Sequence, residues 1–156
     1  MPIEYPRDIE EWSPRSLWIL ESYRRWLGRD LIDRNGTDEE QARRLFETPF
    51  PVLAHGTQAD PILMYANRAT LELWEMTLEE LLRTPSRLTA EPVHRDERAR
   101  LLERVGRDGY IDDYSGVRIS STGRRFFIEQ ATVWNLVDAE GSPVGQAASF
   151  SEWGEL

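Results

Sequence analysis

The clearest alternation of apolar and polar positions lies in the last third of the chain, residues 110–153. It predicts three long strands joined by two tight turns. In the middle strand Phe126, Ile128, Gln130, Thr132, Trp134 and Leu136 share one parity. Phe127, Glu129, Ala131, Val133, Asn135 and Val137 share the other. Successive side chains in a strand point to opposite faces, so each set is expected on one side of a sheet. Both sets carry large apolar groups, and such a sheet needs a cover. Gly116 is expected to mark a bulge in the first strand. Ser120-Ser121-Thr122-Gly123 and Asp138-Ala139-Glu140-Gly141 read as the turns, with Gly123 at positive φ. Val144, Gln146, Ala148 and Phe150 share a face of the last strand, where Gly145, Ala147 and Ala148 leave room for a helix or a ligand.

Upstream, the spacing turns helical. Ser13-Pro14 reads as an N-cap followed by proline in the first helical position, with Gly28 as the stop. Its stripe of Ile19, Leu20, Tyr23, Trp26 and Leu27 either packs on the domain's own sheet or pairs with a second copy. Thr37 and Glu40 form a capping box for a helix over 38–47, which Thr48-Pro49 ends. Short strands over 50–55 and 62–66 flank a turn. Asn67 caps a helix with Thr70, Leu73 and Trp74 inward, and Thr77 with Glu80 caps another. After an irregular stretch over 86–91, Pro92 opens a helix to about residue 105, with Ala99, Leu102 and Val105 inward and Gly106 and Gly109 closing it. The order predicts an α+β fold: a five-stranded antiparallel sheet with helices on one face over 48–156, preceded by an N-terminal helical extension over 1–47.

The 156 residues suffice for one full core. With 40% apolar and 30% charged residues the chain is expected to be globular. A net charge of −9 argues against nonspecific binding to nucleic acid or an anionic membrane, although arginine could still form a local basic patch. Without cysteine there is no thiol nucleophile, disulfide or cysteinyl flavin chemistry. No apolar run reaches the ~20 residues of a membrane span, and the N-terminus lacks a signal core. The expected compartment is the cytoplasm.

Two sets of residues carry a family resemblance. Ile62 to Trp74, with Asn67 directly after the strand, resembles the passage from second strand to first helix in PAS domains. Thr77-Leu78-Glu79-Glu80-Leu81 resembles the segment that follows. PAS domains usually carry Gly-Tyr before that threonine, and Glu75-Met76 stands there instead. A closer resemblance is to the MEKHLA family, a PAS-like group known from the C-termini of plant homeodomain-zipper factors and from small stand-alone bacterial proteins. It rests on His55-Gly56-Thr57, Asp60-Pro61-Ile62, Tyr65-Ala66-Asn67-Arg68-Ala69 and Leu73-Trp74-Glu75. It continues through Pro85-Ser86-Arg87-Leu88-Thr89-Ala90-Glu91-Pro92, from Tyr114-Ser115-Gly116-Val117 on to Arg124-Arg125-Phe126, and in Ala131-Thr132-Val133-Trp134-Asn135. The resemblance implies a PAS-like sensory or ligand-binding role. No homeodomain, kinase or other output domain is recognisable.

Several residues are candidates for ligand contact. His55 ends a strand beside Gly56, where its imidazole either holds a turn or reaches a pocket. His94 stands near Glu91 and Asp96, but no metal-binding histidine spacing exists, and no metal is expected. Arg87 either pairs with Glu91 or reads a ligand carboxylate. Glu129 either pairs with Arg118 on the neighbouring strand or sits in a pocket. Gln130 and Gln146 could offer amides to a planar ligand, or to each other. Tyr65, Trp74 and Trp134 complete the set, with core packing as the simpler role for the tryptophans. No catalytic motif is present. The leading expectation is a sensor that binds a small organic molecule in an internal pocket and signals through a homodimer or partner contact at the N-terminal helices. A ligand-free interaction or dimerisation module is the first alternative. A small enzyme using His55 and Glu129 for proton transfer is the second. The sequence names no cofactor.

Overall fold

In a computed structural model that describes residues 3–91 and 95–156, helices pack against both faces of a six-stranded antiparallel sheet. Two helices come first, α1 (Trp12–Leu27) and α2 (Asp38–Glu47). The hairpin β1 (Val52–His55) and β2 (Leu63–Ala66) follows, then α3 (Arg68–Trp74), α4 (Leu78–Leu81) and a 3-10 turn (Ser86–Thr89). The last helix, α5 (Arg95–Asp108), leads into β3 (Tyr110–Ile119), β4 (Arg125–Val137), β5 (Pro143–Ser149) and β6 (Glu152–Glu155). The sheet order is β2-β1-β5-β4-β3. β6 continues along the edge of β4 that β5 leaves, pairing Phe126 to Glu129 with Glu155 to Glu152. The expected third long strand therefore breaks at Phe150 and Ser151, which adds a sixth short strand to the five.

The expected parity of β4 holds only in halves. Gln130 takes a left-handed backbone, φ 49°, and this bulge shifts the alternation by one residue. Phe126 and Ile128 below it share a face with Ala131 and Val133 above it, and these four pack beneath the helices after β2. Trp134 points the other way, since neighbours in a strand face opposite sides. Its indole N–H donates to the Ile19 carbonyl of α1 at 3.2 Å, and Tyr23 of α1 meets it edge-on at 5.0 Å. Ile19, Leu20 and Trp134 have no exposed surface. Of the two roles expected for the α1 stripe, the structure displays packing on the chain's own sheet, so the helices do not all lie on one face. Burying an aromatic of this size contributes about 3–5 kcal/mol, which ties α1 firmly to β4.

Helix boundaries follow their local chemistry with two departures. α1 starts one residue before Ser13, so Ser13 does not cap it; Pro14 is still accommodated, because first-turn N–H groups need no intrahelical partner. Gly106 lies inside α5, which ends at Gly109 with φ 97°. Leu101 and Val105 are the buried residues of α5, Leu102 is half-buried and Ala99 is exposed. Pro92 lies outside the described residues. The capping boxes at Thr37/Glu40 and Thr77/Glu80 both form.

Candidate functional site

A cavity of about 50 Å³ lies between the inner face of the sheet and the helices after β2. Its floor is apolar and partly small: Ile128, Ala131 and Val133 of β4, Ala147 and Ala148 of β5. Trp74 of α3, Leu101 of α5 and Phe150 close it from the sides. Trp74 meets Phe126 edge-on at 5.0 Å and Phe150 at 6.1 Å, so its ring is locked. Its Nε1 is buried and has no hydrogen-bond partner. The remaining polar groups in the wall are His55, Ser86, Thr89, Tyr114, Arg118 and Gln146.

Each of these is held by a specific contact. His55 donates from Nδ1 to the Gly56 carbonyl at 2.9 Å, so this tautomer carries its proton on Nδ1. Gln146 donates to the Leu102 carbonyl at 3.1 Å and to Asn135 Oδ1 at 2.9 Å. Asn135 in turn donates to the Val105 carbonyl at 2.9 Å, and its own carbonyl accepts from the Trp26 indole at 3.1 Å. A polar chain thus runs from the cavity wall through β4 to α1 on the opposite face. Thr89 donates to the Ser86 carbonyl at 2.8 Å, closing the 3-10 turn. Tyr114 lies back across its own strand: a Cβ on Gly116 would stand 2.4 Å from its hydroxyl oxygen, so a side chain there would push the Tyr114 ring aside. The pairing register shifts beside Gly116, where the bulge was expected. The Arg118 guanidinium stacks on the Tyr114 ring at 5.1 Å.

One family motif acts as a latch beside the cavity. Glu75 ends α3 in the left-handed region, φ 57°. PAS domains usually carry glycine there, where that conformation costs nothing. Here the strained residue contributes a carboxylate. It accepts from Ser120 at 2.8 Å, from Arg124 at 3.1 Å and from Thr122, while Ser121 donates to the Glu75 carbonyl at 2.6 Å. The β3–β4 turn is therefore bound to the helix that carries Trp74. Hydrogen bonds from Thr122 and Ser120 hold the Glu75 carboxyl below its ordinary value, against a smaller opposing effect of burial, and Arg124 adds to the lowering. The folded value lies below the unfolded value of about 4.3. The stabilisation is therefore complete above that pH and lost as pH falls through the lowered folded value. Glu75→Gln is expected to remove this acid dependence. The gap in urea midpoint between wild type and variant should be steady well above about pH 4.3 and narrow as pH falls below it; a gap constant with pH would show that the carboxylate charge does not matter.

Of the expected site residues, the structure brings His55, Trp74 and Gln146 together at the cavity. The others lie elsewhere. Tyr65 is buried on the α1 side, stacked on Trp12 at 4.6 Å. Burial drives its phenol well above the ordinary value and Tyr5 adds to this. Ser16 offsets little, because its hydroxyl donates to the Trp12 carbonyl. Trp134 faces α1. Arg87 is exposed and pairs with Asp60 at 3.2 Å, not with Glu91, which pairs with Arg125. Glu129 and Gln130 are exposed. Glu129 is paired in the sheet with Glu152, not with Arg118, because the residue opposite Arg118 is Phe126 on the inner face. Gln130 is exposed and does not meet Gln146, and His55, in the cavity wall, does not meet the exposed Glu129. His94 lies outside the described residues. Among the described residues no group of three or more histidine, aspartate or glutamate side chains could hold a metal, and no helix is long and apolar enough to cross a membrane.

Arg118 and Tyr114 were not foreseen as cavity residues. The signal that could have found Arg118 is its place two residues after Gly116, on a parity shared with Phe126 across the strand pair.

Comparison with known proteins fits this geometry. The MEKHLA domain profile matches residues 14–155. Homeobox-leucine zipper protein HOX29 of Oryza sativa subsp. indica is 32% identical over 131 residues, covering 80% of this chain and 15% of the rice protein. Homeobox-leucine zipper protein REVOLUTA of Arabidopsis thaliana is 30% identical over 129 residues, covering 78% and 15%. The chain thus spans about 15% of the length of these relatives. Among solved structures, a PAS domain from Colwellia psychrerythraea superposes with a TM-score of 0.61 at 13% identity, over 76% of this chain and 95% of that one. An RNA-binding light-oxygen-voltage receptor gives 0.60 at 16% identity, over 78% and 34%. At these identities the likeness establishes a PAS-like fold. From the first helix onward, the chain belongs to the MEKHLA domain family.

Proposed function

We propose that this MEKHLA domain is a cytoplasmic PAS-like sensor that binds a small organic molecule in the cavity between sheet and helices. Binding is relayed to α1 and from there to a second copy or a partner protein. The observation that carries this reading is an apolar cavity whose few polar groups converge from β1, β3, β5 and the 3-10 turn. The chain Gln146–Asn135–Trp26 supports the relay, since a change at the cavity wall alters the bonds that hold α1. The division into residues 1–47 and 48–156 fits this view as reporter and sensor, with α1 lying on the sensor's sheet. The size of the cavity sets the ligand: about 50 Å³ takes roughly three to five water-sized atoms.

The test is direct. Protein purified from its native host is examined for visible absorption, then denatured, and the supernatant is analysed by mass spectrometry. A stoichiometric released compound is expected. A second reading, a ligand-free interaction module, draws on the small cavity and on the exposed Trp153 and Leu156 beside Phe127. Absence of any released compound, together with no thermal shift from a library of small fragments, would favour that second reading.

A further inference from the structure

The most buried arginine with a place in the cavity wall has no acidic partner. Arg118 is 7% exposed. Its guanidinium donates once, from one Nη to the Val117 carbonyl at 2.9 Å, and otherwise lies on the Tyr114 ring. It makes no ion pair among the described residues, in a chain with 28 acidic side chains and a net charge of −9. Arg124, Arg125, Arg87 and Arg68 are all far more exposed, yet each has a carboxylate. A guanidinium has five N–H donors and cannot lose its charge in a protein. With one protein acceptor and an aromatic face, the guanidinium keeps an accessible side in the cavity wall and has no protein carboxylate to neutralise its charge. Trp74 adds a buried donor to the same cavity: its indole N–H has nothing to accept it. A permanent cation without a counter-ion and a buried indole N–H without an acceptor, both in the wall of one cavity, suit an anion with oxygen acceptors. Carboxylate geometry matches the planar guanidinium fork. Ile128, Val133 and Phe150 line the rest of the space, and they suit a short apolar chain.

We propose that the cavity binds a small monocarboxylate of roughly two or three carbons, with Arg118 as its counter-ion and the Trp74 indole N–H as a second donor. This rests on the ligand-binding reading above and specifies its chemistry. Bound carboxylate would also take up the donors that the Tyr114 stack leaves open. Tyr114 is expected to stay in place, because Gly116 gives it room.

The experiment uses the full chain and a pair of probes of nearly equal shape, sodium propionate and propionamide, at constant ionic strength. Saturation-transfer NMR reads binding of each. The expected result is transfer to propionate and little to propionamide, with propionate binding weakened at least about tenfold in Arg118→Gln. Equal transfer to both probes in the wild type would overturn the carboxylate assignment and leave a general small-molecule pocket standing. No transfer to either probe would overturn both. Should Arg118→Gln fail to fold, the wild-type contrast between acid and amide decides the question by itself.

Discussion

Replacing Asn67 with alanine is expected to remove about 3–5 kcal/mol of folding stability. Asn67 has no exposed surface and uses its amide fully. Oδ1 accepts from the Val52 N–H at 3.0 Å, the Thr70 N–H at 3.2 Å and the Thr70 hydroxyl at 2.8 Å. Nδ2 donates to the Phe50 carbonyl at 2.9 Å and the Leu45 carbonyl at 3.3 Å. One side chain therefore caps α3, starts β1 and holds the end of α2. Alanine leaves two backbone N–H groups and two carbonyls without partners in the interior, each at about 1–3 kcal/mol before any water enters. Urea unfolding measures the loss, and a change below about 1 kcal/mol would mean that water replaces the amide without strain.

Asn67→Asp separates the cap from the donors. It keeps an acceptor for Val52 and Thr70 but turns an oxygen toward the Phe50 and Leu45 carbonyls. Burial and those carbonyls raise the folded carboxyl above its unfolded value of about 3.9. Its stabilising protonated form is complete below that value and is lost as pH rises toward the raised folded value. The aspartate variant should therefore be more stable near pH 5 than near pH 7. A variant equally stable at both would show that the donor side of Asn67 carries little.

Asn67 was legible in the sequence as a helix cap, because capping is written within three residues. The same holds for Thr37 with Glu40 and Thr77 with Glu80. The antiparallel sheet and a helical cover were legible from the succession of periodicities; the order of the strands and the cover on the second face were not. The bulge at Gln130 was not, because no glycine marks it, and a glutamine at positive φ leaves no compositional trace. That one residue exchanges the faces of the upper half of β4. It sends Ala131 and Val133 to the cavity and Trp134 to α1, and so it misplaced Gln130 and Trp134 among the expected site residues. Arg118 was hidden for a related reason. Read without the bulges of β3, it stands near Glu129 and looks paired; in the structure it faces inward, opposite Phe126, with no acid beside it. His55 was found from its place at a strand end beside a glycine, Trp74 from helical spacing after the Asn67 cap, and Gln146 from alternation along β5.

Gly145→Ala is the second substitution expected to act strongly, with a loss of about 3 kcal/mol or more. Gly145 has φ 152°, a conformation that L side chains rarely adopt. Space is the larger obstacle. A Cβ there would lie 2.0 Å from the His55 carbonyl oxygen, 3.1 Å from its carbon and 3.4 Å from the Gly56 Cα. All three are backbone atoms, so no rotamer change relieves the clash. β1 can yield only by separating from β5 at its last pair, His55 with Gln146. Both residues belong to the cavity wall, so the damage should be read there as well as in stability. Gly141→Ala is the matched control: φ is 82°, and nothing stands within 4 Å of its added carbon. It should cost only the backbone term, about 1 kcal/mol. If the two variants unfold at the same urea concentration, the close approach of β5 to His55 is not a constraint. If Gly145→Ala alone falls sharply and shifts the His55 ring resonances, the narrow crossing of these two strands is what sets the imidazole at the cavity.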